Sequence, residues 1–400
     1  MDIYIRGKPI SCKYVNLYLQ ETISMKISGF KAGKFSQRFQ YKSFEPNYVD
    51  LPWIIDDTEL IMLLSEASLK LGELNAFSQL IPDIDFFIKM HVIKEGTESS
   101  RIEGTQTNID DAVQKEENIQ PEKKDDWQEV QNYVQSMNHA IESLQTFPLS
   151  SRLLKQTHKT LLQGVRGTSK LPGEFRQSQN WIGGSSLKDA VFIPPHHESV
   201  DDLMSDLEKF LHNENTPVPS LIKIGIAHYQ FETIHPFLDG NGRIGRLLIT
   251  LFLVSNQLLH KPTLYLSDYF EKNKSYYYDN LTRVRTDNDL KQWLKFFLEG
   301  VRSTSENSIQ TFKYIIALRT EVENKIISLG KKQPLAKSLL QFLFTNPVAD
   351  AGDIAKALSV NVSTALRLID DFMKSRILIE KTGFKRNRIF SFDSYIKLFR

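Results

Sequence analysis

One cysteine, Cys12, stands among 400 residues, which excludes an internal disulfide framework and any cysteine-built zinc site. It reads as a small buried or partly exposed side chain rather than a nucleophile. No apolar run is long enough to span a bilayer, and the basic N-terminus lacks the apolar core of a signal peptide. A soluble, cytoplasmic protein is expected. Internal repeats and low-complexity tracts are missing as well. Charge of one sign is scarce: 50 Lys and Arg meet 48 Asp and Glu, a net of +2. The balance is nevertheless uneven. Residues 331–400 carry 13 cations against 6 anions and the rest carries 37 against 42, which implies separate roles for the two parts. At 41% hydrophobic, the chain can bury sizeable cores in two or three mostly helical domains.

What is present is concentrated between His235 and Arg246, HPFLDGNGRIGR. Leu221, Ile222, Ile224, Ile226, Phe231 and Ile234 upstream predict an amphipathic helix that Pro236 ends, which leaves His235 at its lip. Gly240, Asn241 and Gly242 then form a turn that gathers backbone N–H groups, and Arg243 to Asn256 reads as a second apolar helix. A glycine-rich turn feeding a helix N-terminus is an anion site, and Arg243 and Arg246, three apart, reach around the same end. The implied ligand is a polyphosphate. Asp239 is then the Mg²⁺ ligand, since magnesium in such sites is held by one or two carboxylates plus the phosphates, and His235 is placed to take a proton from an attacking hydroxyl.

These residues resemble the signature of the Fic family, HPFx[DE]GNGRxxR, at every one of its fixed positions. The resemblance covers roughly Pro46 to Val301 and implies a protein adenylyltransferase that transfers AMP from ATP, with Mg²⁺, to a hydroxyl of a protein, the enzyme itself included. In that reading Gly240, Asn241, Gly242, Arg243 and Arg246 hold the phosphates. TESSRIEG, Thr97 to Gly104, puts Ser99 and Glu103 on one helix face with Gly104 as a cap. It resembles the family's inhibitory motif, which implies that Glu103 pairs with Arg246 and blocks the γ-phosphate. GEFR at Gly173 to Arg176, NWIGG and Pro194–Pro195 resemble the family's flap, a β-hairpin that docks the target by strand addition, with Trp181, Ile182, Gly183 and Gly184 as its contact residues. The resemblance also places an adenine-contacting tyrosine close to Tyr278; Tyr276, Tyr277 and Tyr278 point in three directions, so at most one or two of them make this contact and the others read as core.

Along the rest of the chain, residues 1–45 form an arm of uncertain structure and Pro46 to Pro52 a loop. Thr58 to Phe77 has helical spacing through Leu60, Ile61, Leu64, Leu69 and Leu71, and Ile84 to Ile93 continues the bundle. Residues 46–125 are thus a helical region carrying the inhibitory helix, and 126–325 the catalytic core. His196, His197 and Glu198 are consecutive and at helix spacing do not converge on one ion, so they read as helix-start residues. His228 reads as a satisfied core histidine. From Gly330 to Pro334 the helical pattern breaks, and residues 331–400 read as a winged helix-turn-helix with Ser363, Thr364, Arg367, Lys374, Lys385, Arg386 and Arg388 available to DNA, although such units equally serve protein contacts and dimers. Three alternatives stay open: removal of AMP from a modified protein, a nucleotide-sensing DNA-binding regulator, and a phosphocholine or phosphoryl transferase on the same scaffold.

Overall fold

The computed structural model describes residues 24–165, 169–215, 218–384 and 386–400, together with the backbone pairing of Tyr4–Ile5 with Lys8–Pro9. Cys12 and Lys385 lie outside the described residues.

The arm is in part a hairpin: β1 (Gly33–Gln37) pairs antiparallel with β2 (Lys42–Pro46), Phe35 opposite Phe44. α1 (Thr58–Leu80) starts at Asp57, whose side chain accepts from the Leu60 N–H at 2.8 Å. Its buried stripe is Leu60, Ala67, Leu71 and Leu74, whereas Ile61 and Leu69, read from spacing as inward, face solvent. α2 (Ile84–Ile102), α3 (Lys124–Ser143), α4 (Ser151–Leu161) and α5 (Val200–His212) surround two central helices, α6 (Ser220–Ile234) and α7 (Asn241–Ser255). The amphipathic expectation for α6 is corrected: every residue from Leu221 to Ile234 is buried, because neighbours cover all its sides. α8 (Ser267–Lys272), α9 (Lys274–Asp287) and the 38-residue α10 (Leu290–Ile327) complete the bundle, α10 packing along α1. No described helix is long and apolar enough to cross a membrane.

A short 3₁₀ turn at Gly330–Lys332 leads into the C-terminal unit. It holds α11 (Gln333–Thr345), β3 (Val348–Asp350), α12 (Ala351–Ala357), α13 (Val362–Lys374), β4 (Ile379–Glu380) and β5 (Ile389–Ser391), with an antiparallel sheet ordered β3-β5-β4. This unit sits on α2 and the turn after it. Phe344 meets Phe87 edge-on at 5.0 Å, and His91 lies between Phe312 (4.6 Å, stacked) and Phe399 (4.9 Å, edge-on). Arg400 pairs with Asp110 at 2.5 Å, and Lys115 bridges Asp350 (2.9 Å) and Asp353 (2.6 Å).

Candidate active site

α6 stops at His235, which adopts a left-handed conformation (φ 51°, ψ 59°) and donates its N–H to Phe231 O at 2.9 Å. A non-glycine residue there pays about 1–2 kcal/mol, so its surroundings must hold it. Its Nδ1 faces Glu232 O at 3.4 Å; a carbonyl only accepts, so Nδ1 carries the proton and Nε2 is the free base. Burial lowers its pKa to about 4, and the ring is therefore neutral at ordinary pH.

The loop closes on itself through Asn241, whose Oδ1 accepts from Phe237 N and whose Nδ2 donates to Phe237 O, both at 2.8 Å. Gly240, at φ 74°, is the residue before α7, and no side chain among the described residues caps that end. The opening N–H groups of α7 are thus free of a side-chain cap, with the helix dipole directed at the loop. His158, from α4, stacks on Phe237 at 3.8 Å and accepts from Gly173 N at 2.9 Å through Nδ1, so Nε2–H donates to Asp239 O at 2.9 Å. Asp239 Oδ1 accepts from the Gly240 N–H (2.6 Å), and its side chain lies 3.6 Å from Arg243 and is 42% exposed. A half-exposed single carboxylate beside an uncapped helix end fits one Mg²⁺ whose other ligands are phosphate and water.

Arg243 and Arg246 do share this end of α7, but each is already engaged. Arg243 pairs with Glu129 of α3 at 3.1 Å, both buried; the sequence reading missed that partner. Arg246 donates to Ser99 Oγ (2.9 Å), Ser99 O (2.8 Å) and Glu103 Oε1 (2.6 Å). Ser99 lies on α2, Glu103 is its C-cap, and Gly104 follows at φ 103°, so the predicted constellation is assembled. Burial alone would raise the Glu103 carboxyl, but the Arg246 guanidinium overrides it and holds the group ionised below its usual range. A Cβ on Gly242 would collide with the Glu103 carboxylate, so only glycine lets the acid come this close to the helix start.

Partial burial, and then the charge of Glu103, push the Tyr278 hydroxyl pKa up against the opposing Arg246, although the residue is 39% exposed. Tyr277 is core, whereas Tyr276 is exposed, so only one of the three tyrosines is buried. His228 is a satisfied core histidine, donating from Nδ1 to Gly245 O (2.8 Å) and accepting at Nε2 from Tyr277 Oη (2.9 Å). His196, His197 and Glu198 open a 3₁₀ turn before α5, as read, yet their ligating atoms do fall within 4.8 Å of one another, contrary to the helix-spacing argument, because the turn is tighter than an α-helix.

The segment read as a flap is less of a hairpin than its composition predicts. A single bridge joins Ile182 to Phe192, because left-handed Gly183 and Gly184 and the Asp189-centred turn at Ser185 and Ser186 use up the intervening chain. Trp181 is 40% exposed, with Gly183 and Gly184 also open to solvent. The N-terminal hairpin supports the foot of this segment: Phe44 N donates to Ile193 O at 2.9 Å and Phe44 packs on Phe192.

Glu232, on the last turn of α6, is buried and its Oε1 has no partner among the described residues. Burial raises its pKa from 4.5 to about 7. The folded protein therefore keeps a proton there that the unfolded chain has lost, and stability falls as pH rises from about 4.5 to 7. Glu232→Gln is expected to gain about 1–3 kcal/mol on the parent at pH 8 and almost nothing at pH 4, read from urea midpoints. An equal gain at both pH values would rule out a titrating Glu232.

The model of the Fic/DOC family N-terminal region matches residues 61–142, and that of the Fic/DOC family matches residues 148–253. The chain therefore carries a Fic/DOC N-terminal region and a Fic/DOC domain. The chain is 37% identical over 112 residues to the probable protein adenylyltransferase of Aquifex aeolicus (strain VF5), covering 28% of the chain and 32% of the relative. It is 31% identical over 133 residues to the protein adenylyltransferase Fic of Aedes aegypti, covering 33% and 24%. It thus spans no more than about a third of these curated relatives. The crystal structure of a Fic family protein from Desulfovibrio desulfuricans G20 shares the fold at a TM-score of 0.52 and 20% identity, over 85% of this chain and 97% of that one.

Proposed function

We propose that this protein is a protein adenylyltransferase held in check by Glu103. The observation that carries the reading is Arg246, buried at the open end of α7 beside the base loop and occupied by a carboxylate where a phosphate would bind. ATP would lie with its β- and γ-phosphates against the α7 N–H groups, Arg243 and Arg246, and Tyr278 would edge the purine. A Ser, Thr or Tyr hydroxyl of the target, docked along Trp181 to Gly184, would attack the α-phosphorus. Its proton goes to His235 Nε2, the bond from the α-phosphorus to the bridging oxygen breaks, and pyrophosphate leaves with the electron pair. Mg²⁺, where bound at Asp239, would offset the phosphate charge. Most of the acceleration is then positioning and electrostatics, with one proton transfer added. Intact-mass spectrometry after incubation of the Glu103→Gly protein with Mg²⁺ and ATP tests this: an AMP-sized adduct is expected, and a phosphate-sized adduct or none would overturn it.

The reading extends to partners: ATP, a protein substrate that includes this chain itself, a second copy as homodimer, and duplex DNA or a protein at residues 331–400. The helix pair α12–α13 and the small sheet have the order of a winged helix, and Ser363, Arg367, Lys374 and Arg386 are exposed. Asp370, also exposed, weakens a phosphate-binding face. A salt-sensitive mobility shift of duplex DNA with the full chain is the expected sign of a DNA partner; no shift at low salt leaves the protein-contact reading.

A further inference from the structure

The loop that carries His235 is held from outside its own helices. Arg176 donates Nη2 to Ile234 O (3.3 Å), Nε to His235 O (3.0 Å) and its backbone N–H to Pro236 O (2.8 Å). Asn180 donates Nδ2 to His235 O (3.2 Å) and Phe237 O (2.8 Å). Two residues thus satisfy the carbonyls of four consecutive ones, which fixes the backbone on both sides of the left-handed His235. Arg176 is 2% exposed, a buried cation whose hydrogen bonds all end on carbonyls, an expensive choice for mere packing. The same side chain reaches the foot of the flap, donating Nη2 to Pro195 O at 2.5 Å, while Gln179 donates to Pro194 O at 3.0 Å. The segment between Asn180 and Pro195 is the one proposed to dock the target, so the docking element and the base share one root.

The geometry points to Arg176 and Asn180 as positioning residues: they keep His235 in its left-handed conformation and tie its loop rigidly to the foot of the flap. The kinetic arm of the test rests on the adenylylation reading, and a spectroscopic arm does not. Histidine-selective ¹⁵N NMR on the full chain reads the tautomer and titration of His235 whether or not any transfer occurs. The parent ring is expected to show the proton on Nδ1 and to titrate near pH 4. Asn180→Ala and Arg176→Gln should each mix the two tautomers. Arg176→Gln should also raise the midpoint, because the guanidinium opposes the imidazolium, and Arg176→Lys should restore the midpoint without restoring the single tautomer. In a Glu103→Gly background, Asn180→Ala and Arg176→Gln are expected to lower kcat about 10- to 100-fold, with the Kd for ATP by calorimetry unchanged, since neither residue touches the α7 end. An unchanged tautomer and rate in Asn180→Ala, the smaller change and the deciding one if Arg176→Gln does not fold, overturns the assignment; so does a loss of ATP affinity in step with rate. If Glu103→Gly itself transfers nothing, the adenylylation reading fails and the NMR result alone decides the positioning role.

Discussion

Glu103→Gly is expected to raise AMP transfer, self-labelling included, by about 10- to 100-fold. The Arg246–Glu103 contact is a charge-assisted hydrogen bond of 2.6 Å to a guanidinium that is 1% exposed at its side chain. Such bonds are worth about 1.5–3 kcal/mol, and a γ-phosphate seated as proposed would have to displace this one before using Arg246. Removing the acid cancels that competition, and 1.4 kcal/mol is about tenfold in occupancy. The variant should also melt at a lower temperature than the parent, since Arg246 is left buried with only Ser99 as its hydrogen-bond partner, and ATP should raise its melting temperature more than it raises the parent's. Transfer that stays at the parental level while calorimetry shows ATP bound would remove Glu103 as the brake.

His235→Ala in the Glu103→Gly background is expected to cut transfer by about 10² to 10⁴ while the Kd for ATP holds, because in the proposed mechanism the ring contributes a base and not a phosphate contact. In the parent ring the base is available down to low pH. Its folded-state pKa of about 4 lies below the ordinary 6.5, so the neutral form is complete above 6.5 and is lost only as pH falls through about 4. kcat/KM, which reports the free enzyme, should therefore be flat from pH 8 to 6 and decline below about 5. A steep fall already between pH 7 and 6 would mean that another group supplies the base.

The motif was legible because its chemistry is local. His235, Asp239, Asn241, Arg243 and Arg246 occupy one turn and one helix start, and spacing alone brings them to the same end. Ser99, Glu103 and Gly104 were legible for the same reason, and the family resemblance supplied their distant partner. What could not be read was which remote side chains hold these groups. Glu129 is an ordinary exposed-looking acid in a helical pattern until α3 brings it against Arg243, 114 residues away. His158 is one histidine in a polar run, and nothing in its neighbourhood marks it as the clamp on Asp239. Arg176 and Asn180 read in sequence only as parts of the flap motif, because their partners lie 55 to 59 residues further on. Periodicity likewise found α6 but not its burial on every side, since a pattern tells which faces are apolar and not how many neighbours arrive. Gly183 and Gly184 announced a turn, and their positive φ then left room for one bridge instead of a ladder.

The seat of the C-terminal unit has a bearing on how this protein can be dissected. His91 is sandwiched by Phe312 and Phe399, and Phe87 meets Phe344, so the helix that ends in Glu103 is completed by side chains more than 200 residues downstream. A chain trimmed after residue 330 would leave that helix with a wet, apolar flank, and any gain in its activity would report a loosened support as readily as a missing regulator.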